Sequence, residues 1–261
     1  MPAFNRGDIT LYAERRGAGP PLLFIHGTGS DLRARPNGFD LPFAAEFDLT
    51  CYDHRGLGQS ARPRDGESWS MADYGDDAAA VMDWAGWEQA AVVGVSFGGM
   101  VTQELLIRHP DRVSRAVLCC TSSGGAGASS YPLHELADLA PADRAAAMVR
   151  IIDTRWSEAG AGDPLYDYLL KSMSAAPPAD AGARAQLAAR ATHDSWDRLP
   201  QIDVPVLICA GEYDGIAPLA NSEALNRQIP HSLLEVFEGG HGFLYQDVRA
   251  PELIRDFLLA D

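Results

Sequence analysis

Short, continuous apolar segments recur along the chain and alternate with stretches that have the spacing of amphipathic helices. The apolar segments lie at 22–25, 49–52, 91–93, 116–120 and 205–210. Runs of this length are typical of strands that are buried on both faces of a parallel sheet. Helical spacing at 73–87 and 100–108 fills two of the intervals. Buried strands that alternate with helices predict a doubly wound α/β sheet.

Two further segments complete the predicted sheet. Residues 9–15 alternate between apolar and polar side chains, which predicts a half-exposed strand, and a loop rich in Gly and Pro follows at 17–21. Residues 233–237 form another strand-like run, and a C-terminal helix is predicted to begin near Ala250.

The alternation stops between about Thr121 and Pro200, where the sequence is rich in alanine and punctuated by proline. Helices are predicted at 141–153, 163–173 and 179–193. We therefore predict an α/β core formed by 1–120 and 201–261, with a helical cap formed by 121–200. Such an insertion would lie as a lid over the carboxyl edge of the sheet, where open α/β sheets bind ligands. Surface helices without a gating role are the alternative.

Composition and charge narrow the class of protein. The 261 residues are 46% hydrophobic and 22% charged, which is typical of a soluble globular chain with a sizeable core. The net charge of -15 repels phosphate backbones and anionic lipids, so we expect neither nucleic acid nor membrane partners. Residues 1–8 contain no apolar signal core, and we expect a cytoplasmic protein. The sequence leaves a homodimer open.

The four cysteines predict buried, reduced thiols rather than a metal site or a disulfide. Cys51, Cys119, Cys120 and Cys209 lie in strand-like runs, without a C-x-x-C pair or a histidine at zinc-site spacing. The neighbours Cys119 and Cys120 would face opposite sides of a strand, which argues against a bond between them.

The segment 94–99, with the sequence GVSFGG, is the strongest chemical signal in the chain. It follows an apolar run directly and precedes a helical pattern. A sharp strand-to-helix turn of this kind needs very small residues beside its central position, and Gly94 and Gly98 meet that need. We therefore predict a nucleophile elbow that presents the hydroxyl of Ser96.

A serine nucleophile needs a base, and the base usually needs an orienting carboxylate. His241 lies between glycines after the strand-like run 233–237, on a loop predicted at the carboxyl edge of the sheet. Asp214 follows the run 205–210 and precedes a glycine in a turn that can aim a short carboxylate inward. Glu212 is the rival for the role of the acid.

An acyl-transfer site also needs backbone N–H groups that stabilise the developing oxyanion. The elbow supplies one, the N–H of Phe97 at the start of a helix, where the helix dipole favours negative charge. The Gly-rich segment 26–29, which follows the first buried strand, is predicted to supply the other.

Together these segments resemble the α/β-hydrolase superfamily over essentially the whole chain. The matching segments are HGTG at 26–29, YDHRGLGQS at 52–60, GVSFGG at 94–99, GEYD at 211–214 and GGH at 239–241. The chain order Ser96, Asp214, His241 is that of this fold. The resemblance implies a mostly parallel, eight-stranded sheet, and it assigns the second oxyanion N–H to Thr28.

The resemblance also separates structural residues from catalytic ones. It implies that Asp53, His54 and Arg55 form a structural turn and have no catalytic role. Four histidines match no motif and are expected at the solvated surface; these are His109, His134, His193 and His231.

Within the superfamily the chain resembles small esterases and 3-oxoadipate enol-lactonases. Haloalkane dehalogenases and epoxide hydrolases differ, since they carry Asp where this chain has Ser96. Proline iminopeptidases carry Gly-Pro-Gly where this chain has Thr28-Gly29-Ser30. Carbon–carbon bond hydrolases commonly carry Trp after the catalytic histidine, where this chain has Gly242.

These features predict an enzyme in which Ser96 attacks an ester or lactone carbonyl and water hydrolyses the acyl-enzyme, with no metal and no organic cofactor. Trp156 and Ile216 are the candidate substrate contacts. The alternatives are a cofactor-free haloperoxidase or perhydrolase, a carbon–carbon bond hydrolase on the same triad, and a low-turnover receptor that binds a ligand.

Overall fold

One eight-stranded sheet runs through the computed structural model, which describes residues 2–156, 164–175 and 179–260. Its strands are β1 (Ala3–Arg6), β2 (Ile9–Arg16), β3 (Pro21–Ile25), β4 (Asp48–Asp53), β5 (Ala90–Val95), β6 (Val113–Cys119), β7 (Val206–Gly211) and β8 (Ser232–Phe237). They lie in the order β1-β2-β4-β3-β5-β6-β7-β8. Strands β1 and β2 are antiparallel to their neighbours, while β3 to β8 are parallel. The predicted α/β class is confirmed.

Helices cover both faces of this sheet and also fill the region between β6 and β7. They are α1 (Met71–Ala85), α2 (Phe97–Arg108), α3 (Pro141–Ile152), α4 (Pro164–Ala175), α5 (Ala181–Ala191), α6 (Leu219–Gln228), α7 (Phe243–Gln246) and α8 (Arg249–Leu259). The sequence did not predict α6, because its buried side chains include the polar Asn221 and Ser222 and so weaken the apolar period. Strand β1 was also missed.

Successive residues of the central strands enter two different hydrophobic cores. In β3, Leu23 and Ile25 pack with α1 and α2, whereas Leu22 and Phe24 pack on the opposite face with α8. Strand side chains point alternately to the two faces of a sheet. Because both faces are covered, both sets of positions must be apolar, which explains the uninterrupted apolar runs.

The region 121–200 contains α3, α4 and α5, and its described residues include no strand of the sheet. A third hydrophobic cluster joins it to the loop after β7 through Leu133, Ile152 and Ile216. Helix α5 is seated against the turn after β4, where the backbones of Gly56 and Gly182 approach so closely that neither position has room for a Cβ. The assignment of this region as a lid stays a prediction.

All four cysteines are buried and free, as the sequence predicts. Cys120 lies one residue beyond the end of β6 and has φ of 43°. Among the described residues, no helix combines the length and apolar character that a membrane crossing requires.

The turn after β4 is held by a buried ion pair. Arg55 is 2% exposed, and its guanidinium donates to both carboxylate oxygens of Asp77 on α1 at 2.6 and 2.7 Å. The guanidinium also lies over the rings of Trp69 and Tyr74. Beside it, the Asp53 carboxylate accepts backbone N–H groups from two loop residues at 2.8 Å. These contacts fit the predicted structural turn.

The Arg55–Asp77 pair should therefore dominate the stability of this corner. We expect Asp77→Asn to lower the free energy of unfolding by about 3–5 kcal/mol, because it removes the buried charge that bonds the Arg55 guanidinium at two nitrogens and leaves only the more distant Asp73 carboxylate, at 3.8 Å. The matched control is Asp83→Asn on the same helix, which removes an exposed partner of Arg112 and should cost at most about 1 kcal/mol. Urea denaturation measures both, and equal costs would contradict the assignment.

Candidate active site

Ser96 occupies a strained backbone conformation between the end of β5 and the start of α2. Its φ is 56° and its ψ is -113°, a combination that residues with a side chain rarely adopt. Strand β6 holds this conformation from the side, since Ser96 N donates to Cys119 O at 2.8 Å and Thr121 Oγ1 donates to Ser96 O at 2.8 Å. The predicted elbow is therefore present, with its hydroxyl at the carboxyl edge of the sheet.

Glycine is required on both sides of the elbow because neighbouring backbones are in contact there. A Cβ on Gly98 would overlap the carbonyl oxygen of Ile25 at the end of β3 and lie 2.8 Å from that of His26. A Cβ on Gly94 would lie 2.7 Å from the carbonyl carbon of Gly98. The glycines thus allow β3, β5 and α2 to meet at Ser96.

His241 lies beside Ser96, on the loop between β8 and α7. Its Nε2 is 2.9 Å from Ser96 Oγ, and its Nδ1 is 2.8 Å from Asp214 Oδ2. The loop is fixed by two contacts, from His241 N to Ile152 O at 2.6 Å and from Gly240 N to Gln246 Oε1 at 2.9 Å. The three residues proposed from the sequence are therefore brought together in one hydrogen-bonded chain.

Asp214 is buried and oriented by the backbone that follows it. Its Oδ1 accepts the N–H groups of Ile216 at 2.7 Å and Ala217 at 2.9 Å, which leaves Oδ2 facing the imidazole. The rival Glu212 is exposed to solvent. The structure thus brings Asp214, rather than Glu212, to His241.

Two opposing effects set the pKa of His241. Burial lowers it, but the adjacent Asp214 carboxylate raises it, and the net pKa lies above the ordinary histidine value. The neighbouring Cys120 side chain raises the pKa of His241 as well, and burial in turn raises the pKa of the Cys120 thiol.

Cys120 is the residue at this site that the sequence analysis did not find. In the described part of the chain, Cys120, Asp214 and His241 form the one group whose potential ligand atoms lie close enough to hold a metal ion, all within 4.8 Å of one another. A metal ion there would compete with the Asp214–His241 hydrogen bond. Only the strand order could have indicated Cys120. Strand β6 pairs with both β5 and β7, so its carboxyl end lies between those that carry Ser96 and Asp214.

The Gly-rich loop after β3 lies against the nucleophile. A Cβ on Gly27 would be 3.4 Å from Ser96 Cβ and 4.0 Å from its Oγ. Phe97 is the first residue of α2, so its N–H has no acceptor within the helix. Gly29, two residues after Gly27 in the same loop, donates its N–H to Gln186 Oε1 on α5 at 2.8 Å.

Two buried, neutral histidines support this loop. His54 Nε2 donates to His26 O at 2.9 Å, and His26 Nε2 accepts the N–H of Gly38 at 3.1 Å. Burial lowers the pKa of His26 to about 3 and that of His54 to about 4. Both rings therefore carry no charge at neutral pH, which agrees with a structural role.

A cavity of about 260 Å³ opens at Ser96 and His241. Its other described lining residues are Phe24, His26, Gly27, Thr28, Ser30, Pro36, Val95, Leu133, Met148, Ile152, Met173, Ile216, Gly242, Leu244 and Tyr245. Ile216, one of the two candidate substrate contacts, lines this cavity. Trp156 is buried next to Tyr166 in the third hydrophobic cluster and is not among the described lining residues.

The histidines without a motif fall into two groups. His134 and His231 are exposed, and His109 is partly exposed and 2.8 Å from an Asp76 oxygen. The expectation for His193 was wrong, because the residue is only 6% exposed and its Nε2 lies 3.4 Å from Oε1 of the buried Gln103 on α2. Burial lowers the pKa of His193 to about 4.

Comparison with known proteins places this arrangement among hydrolases. The family described as alpha/beta hydrolase fold matches residues 20–156. The chain is 28% identical over 223 residues to 3-oxoadipate enol-lactonase 2 of Acinetobacter baylyi, with 85% of this chain and 82% of that protein covered. It is 29% identical over 282 aligned positions to the putative carbamate hydrolase RutD of Azorhizobium caulinodans, with 99% and 97% covered.

Solved structures share the fold. The enol-lactonase from Burkholderia xenovorans LB400 matches with a TM-score of 0.80 at 20% identity, and the match covers 99% of this chain and 100% of that one. At that identity the likeness concerns the fold alone.

The geometry predicts that Asp214 controls the tautomer of His241. In Asp214→Asn, the amide oxygen can still accept the N–H groups of Ile216 and Ala217, which turns the amide NH₂ toward Nδ1 and places the ring proton on Nε2, facing Ser96. We expect the rate of Ser96 labelling by a fluorophosphonate to fall about 10²- to 10⁴-fold. Mass spectrometry follows the label. Glu212→Gln is the matched control and should react at the native rate; an equal loss in both would contradict the assignment.

Proposed function

Since the chain belongs to the α/β-hydrolase fold family, we propose that it is a serine hydrolase that cleaves a carboxylic ester or a lactone of a small molecule. The observation that carries this proposal is the continuous hydrogen-bonded chain from Ser96 through His241 to Asp214, with separations of 2.9 and 2.8 Å. Nucleophile, base and orienting acid therefore stand in the order that acyl transfer needs.

In the first half of the proposed reaction, Ser96 Oγ attacks the carbonyl carbon while His241 Nε2 takes the hydroxyl proton. Asp214 keeps the imidazole in the correct tautomer and stabilises the imidazolium that forms. The tetrahedral intermediate then collapses, and His241 returns the proton to the departing alkoxide. An acyl group remains on Ser96.

In the second half, water attacks the acyl-enzyme. His241 Nε2 takes a proton from this water, the acyl carbon forms a bond to the water oxygen, and the bond to Ser96 Oγ breaks as the proton returns to serine. The carboxylic acid leaves and the resting site is restored. Each proton transfer uses a side chain that is already within hydrogen-bond distance.

The N–H groups of Phe97 and Thr28 are the proposed donors to the oxyanion. Phe97 begins α2, so its N–H and the helix dipole both favour negative charge at that point. Thr28 follows Gly27, which lies against Ser96, and this proximity supports the Thr28 N–H as the second donor. Two donors that are fixed before the reaction lower its barrier without reorganisation.

The cavity favours an uncharged and mainly apolar substrate. Its described lining residues include no Lys, Arg, Asp or Glu, so a substrate with its own carboxylate would find no counter-charge. Leu133, Met148, Ile152 and Met173 supply an apolar wall from the region 121–200. We propose that Ile216 touches the acyl group and that Trp156 supports this wall from behind.

We further propose that the region 121–200 acts as the cap of the active site. Helix α5 is anchored to the core by the Gly56–Gly182 approach and by the hydrogen bond from Gly29 to Gln186. The end of α3 is anchored by the hydrogen bond from His241 N to Ile152 O, so both helices hold the region over the site. The relative described as an enol-lactonase supports a lactone substrate. The relative described as a putative carbamate hydrolase makes carbamates the comparison substrate in a screen.

Substitution of the nucleophile tests the reaction directly. Ser96→Ala should lower kcat for p-nitrophenyl acetate about a thousandfold or more, because no other group replaces the attacking oxygen. Ser30→Ala, which also lines the cavity but lies outside the hydrogen-bonded chain, is the control and should retain most activity. Ordinary turnover by the Ser96→Ala protein would overturn the proposal.

A screen of the native protein separates the possible activities. Lactones and carbamates distinguish a lactonase from a carbamate hydrolase, and product analysis with added peroxide detects perhydrolase activity.

Activity should depend on the neutral form of His241. Because Asp214 raises the pKa of that imidazole, kcat/KM should fall as pH drops through a value above about 6.5, where the imidazolium becomes the main form. Initial rates from about pH 5 to 9 measure this fall in kcat/KM. His231→Gln, a substitution at an exposed position, should not change the pH at which kcat/KM falls. A flat profile across this range would contradict a role for His241 as base.

The acid range of that profile needs a folding control. His26 and His54 fold in the neutral form, so the stability they contribute is present above about pH 6.5 and is lost as pH falls toward their folded pKa values of about 3 and 4. Far-UV circular dichroism at each pH therefore defines the range in which a loss of rate reports on His241.

A further inference from the structure

Arg190 lies near the end of α5 with its guanidinium inside the protein. The residue is only 5% exposed. Its Nη1 donates to Tyr131 O at 2.7 Å and its Nη2 donates to Ser130 Oγ at 2.6 Å, whereas Nε has no hydrogen-bond partner. Since a guanidinium carries five N–H donors, most of its capacity is unused.

The charge of Arg190 has no acidic partner. No carboxylate of the described residues forms an ion pair with it, in contrast to Arg55 with Asp77 and Arg198 with Glu104. Burial lowers its pKa to about 10, so the group is still a cation at neutral pH. Buried charges in proteins are normally paired or bound to a ligand, because an isolated charge is costly to remove from water.

A second cavity, of about 210 Å³, adjoins this guanidinium. It lies between α5 and the loop that follows β6, and its polar lining consists of Ser122, Ser129, Ser130, His134, Arg190 and His193. No Asp or Glu is among its described lining residues, and none of these residues lines the cavity at Ser96. The cavity is thus a separate space in which Arg190 supplies the positive charge.

We propose that this cavity binds a small oxyanion, a carboxylate or phosphate group, through Arg190. A planar guanidinium with free N–H groups matches two oxygens of either group. Since a water molecule occupies about 30 Å³ in the liquid, the cavity has room for an ion of several heavy atoms.

Two serine hydroxyls complete the donor set. Ser130 Oγ accepts from Arg190, and Ser122 Oγ accepts the N–H of Ser130 at 3.2 Å, so each hydroxyl still has its own proton to donate. The His193 ring is neutral, because burial lowers its pKa to about 4. It therefore adds no second positive charge, and Arg190 is the buried cation of this cavity.

The site lies close to the nucleophile without being part of the catalytic chain. Met100, one helical turn after Ser96 on α2, lines its wall, and Ser122 lies two residues beyond Cys120. The protein carries a net charge of -15, which repels anions at long range, so selective anion binding requires a local cation of this kind.

Thermal unfolding at pH 7 and constant ionic strength tests the proposal, with sodium phosphate, sodium acetate and sodium chloride compared. We expect phosphate, acetate or both to raise the Tm of the native protein above its value in chloride, with saturation as the anion concentration increases. Arg190→Met should lose the saturable part of this difference. Arg184→Met is the matched control, because Arg184 lies on the same helix, is exposed and pairs with Asp138, and it should keep the native response.

The two oxyanions distinguish the ligand classes. A response to acetate alone assigns the site to carboxylates, a response to phosphate alone assigns it to phosphates, and either supports the proposal. Phosphate also stabilises proteins by exclusion from their surfaces, but that effect is the same for Arg190→Met. Equal shifts in the native and Arg190→Met proteins, or no difference from chloride in the native protein, would overturn the proposal.

A second variant covers the case in which Arg190→Met does not fold. Ser130→Ala removes one acceptor of the guanidinium and one donor to the anion while keeping the charge. Isothermal titration with phosphate or acetate should then show affinity reduced about tenfold, as expected for one lost hydrogen bond. Unchanged affinity in Ser130→Ala would overturn the assignment of the anion to this cavity.

Discussion

The conformation of Ser96 is the constraint from which the rest of the site follows. A residue with φ of 56° at the end of a strand persists only where the surrounding backbone leaves it no alternative. Here the carbonyl of Ile25 and the helix start at Gly98 are in contact, and β6 holds the serine backbone on the other side. The same contacts bring the loop after β3 against the hydroxyl. Strain, nucleophile and the proposed oxyanion donors are therefore aspects of one packing arrangement.

The residues that the sequence could identify are those whose environment is set locally or by strand order. Gly94 and Gly98 indicate the elbow because a residue with a Cβ does not fit at either position. Asp214 and His241 follow apolar runs that predict parallel strands, whose carboxyl ends lie at one edge of the sheet. Cys120, by contrast, resembles any apolar strand residue, and its place beside the imidazole depends on which strands are neighbours.

His193 and α6 show the other limit of sequence reasoning. A polar residue outside any motif is normally expected at the surface, yet the ring of His193, just beyond the end of α5, faces Gln103. Helix α6 buries the polar side chains of Asn221 and Ser222, and the Asn221 amide donates to Ala128 O at 2.9 Å, so polar residues occupy positions where periodicity detects apolar ones. The buried guanidinium groups of Arg55 and Arg190 illustrate the same limit. The sequence does not distinguish these two arginines, whereas the structure shows that Arg55 pairs with a carboxylate and that Arg190 lines a cavity.

The hydrogen bond from Gly29 N to Gln186 Oε1 joins the proposed oxyanion loop to a helix of the proposed cap. A cap is commonly regarded as an exchangeable module, one that can be replaced to alter substrate preference while the core retains its chemistry. In this chain a backbone amide of the core donates directly to a side chain of the cap helix. A transplanted cap without an acceptor at that point would leave the Gly29 N–H without its protein partner, in the loop that we propose supplies the oxyanion donor. On the proposed function, substrate preference and rate would therefore be linked through this hydrogen bond, and a cap graft would have to carry the glutamine with it.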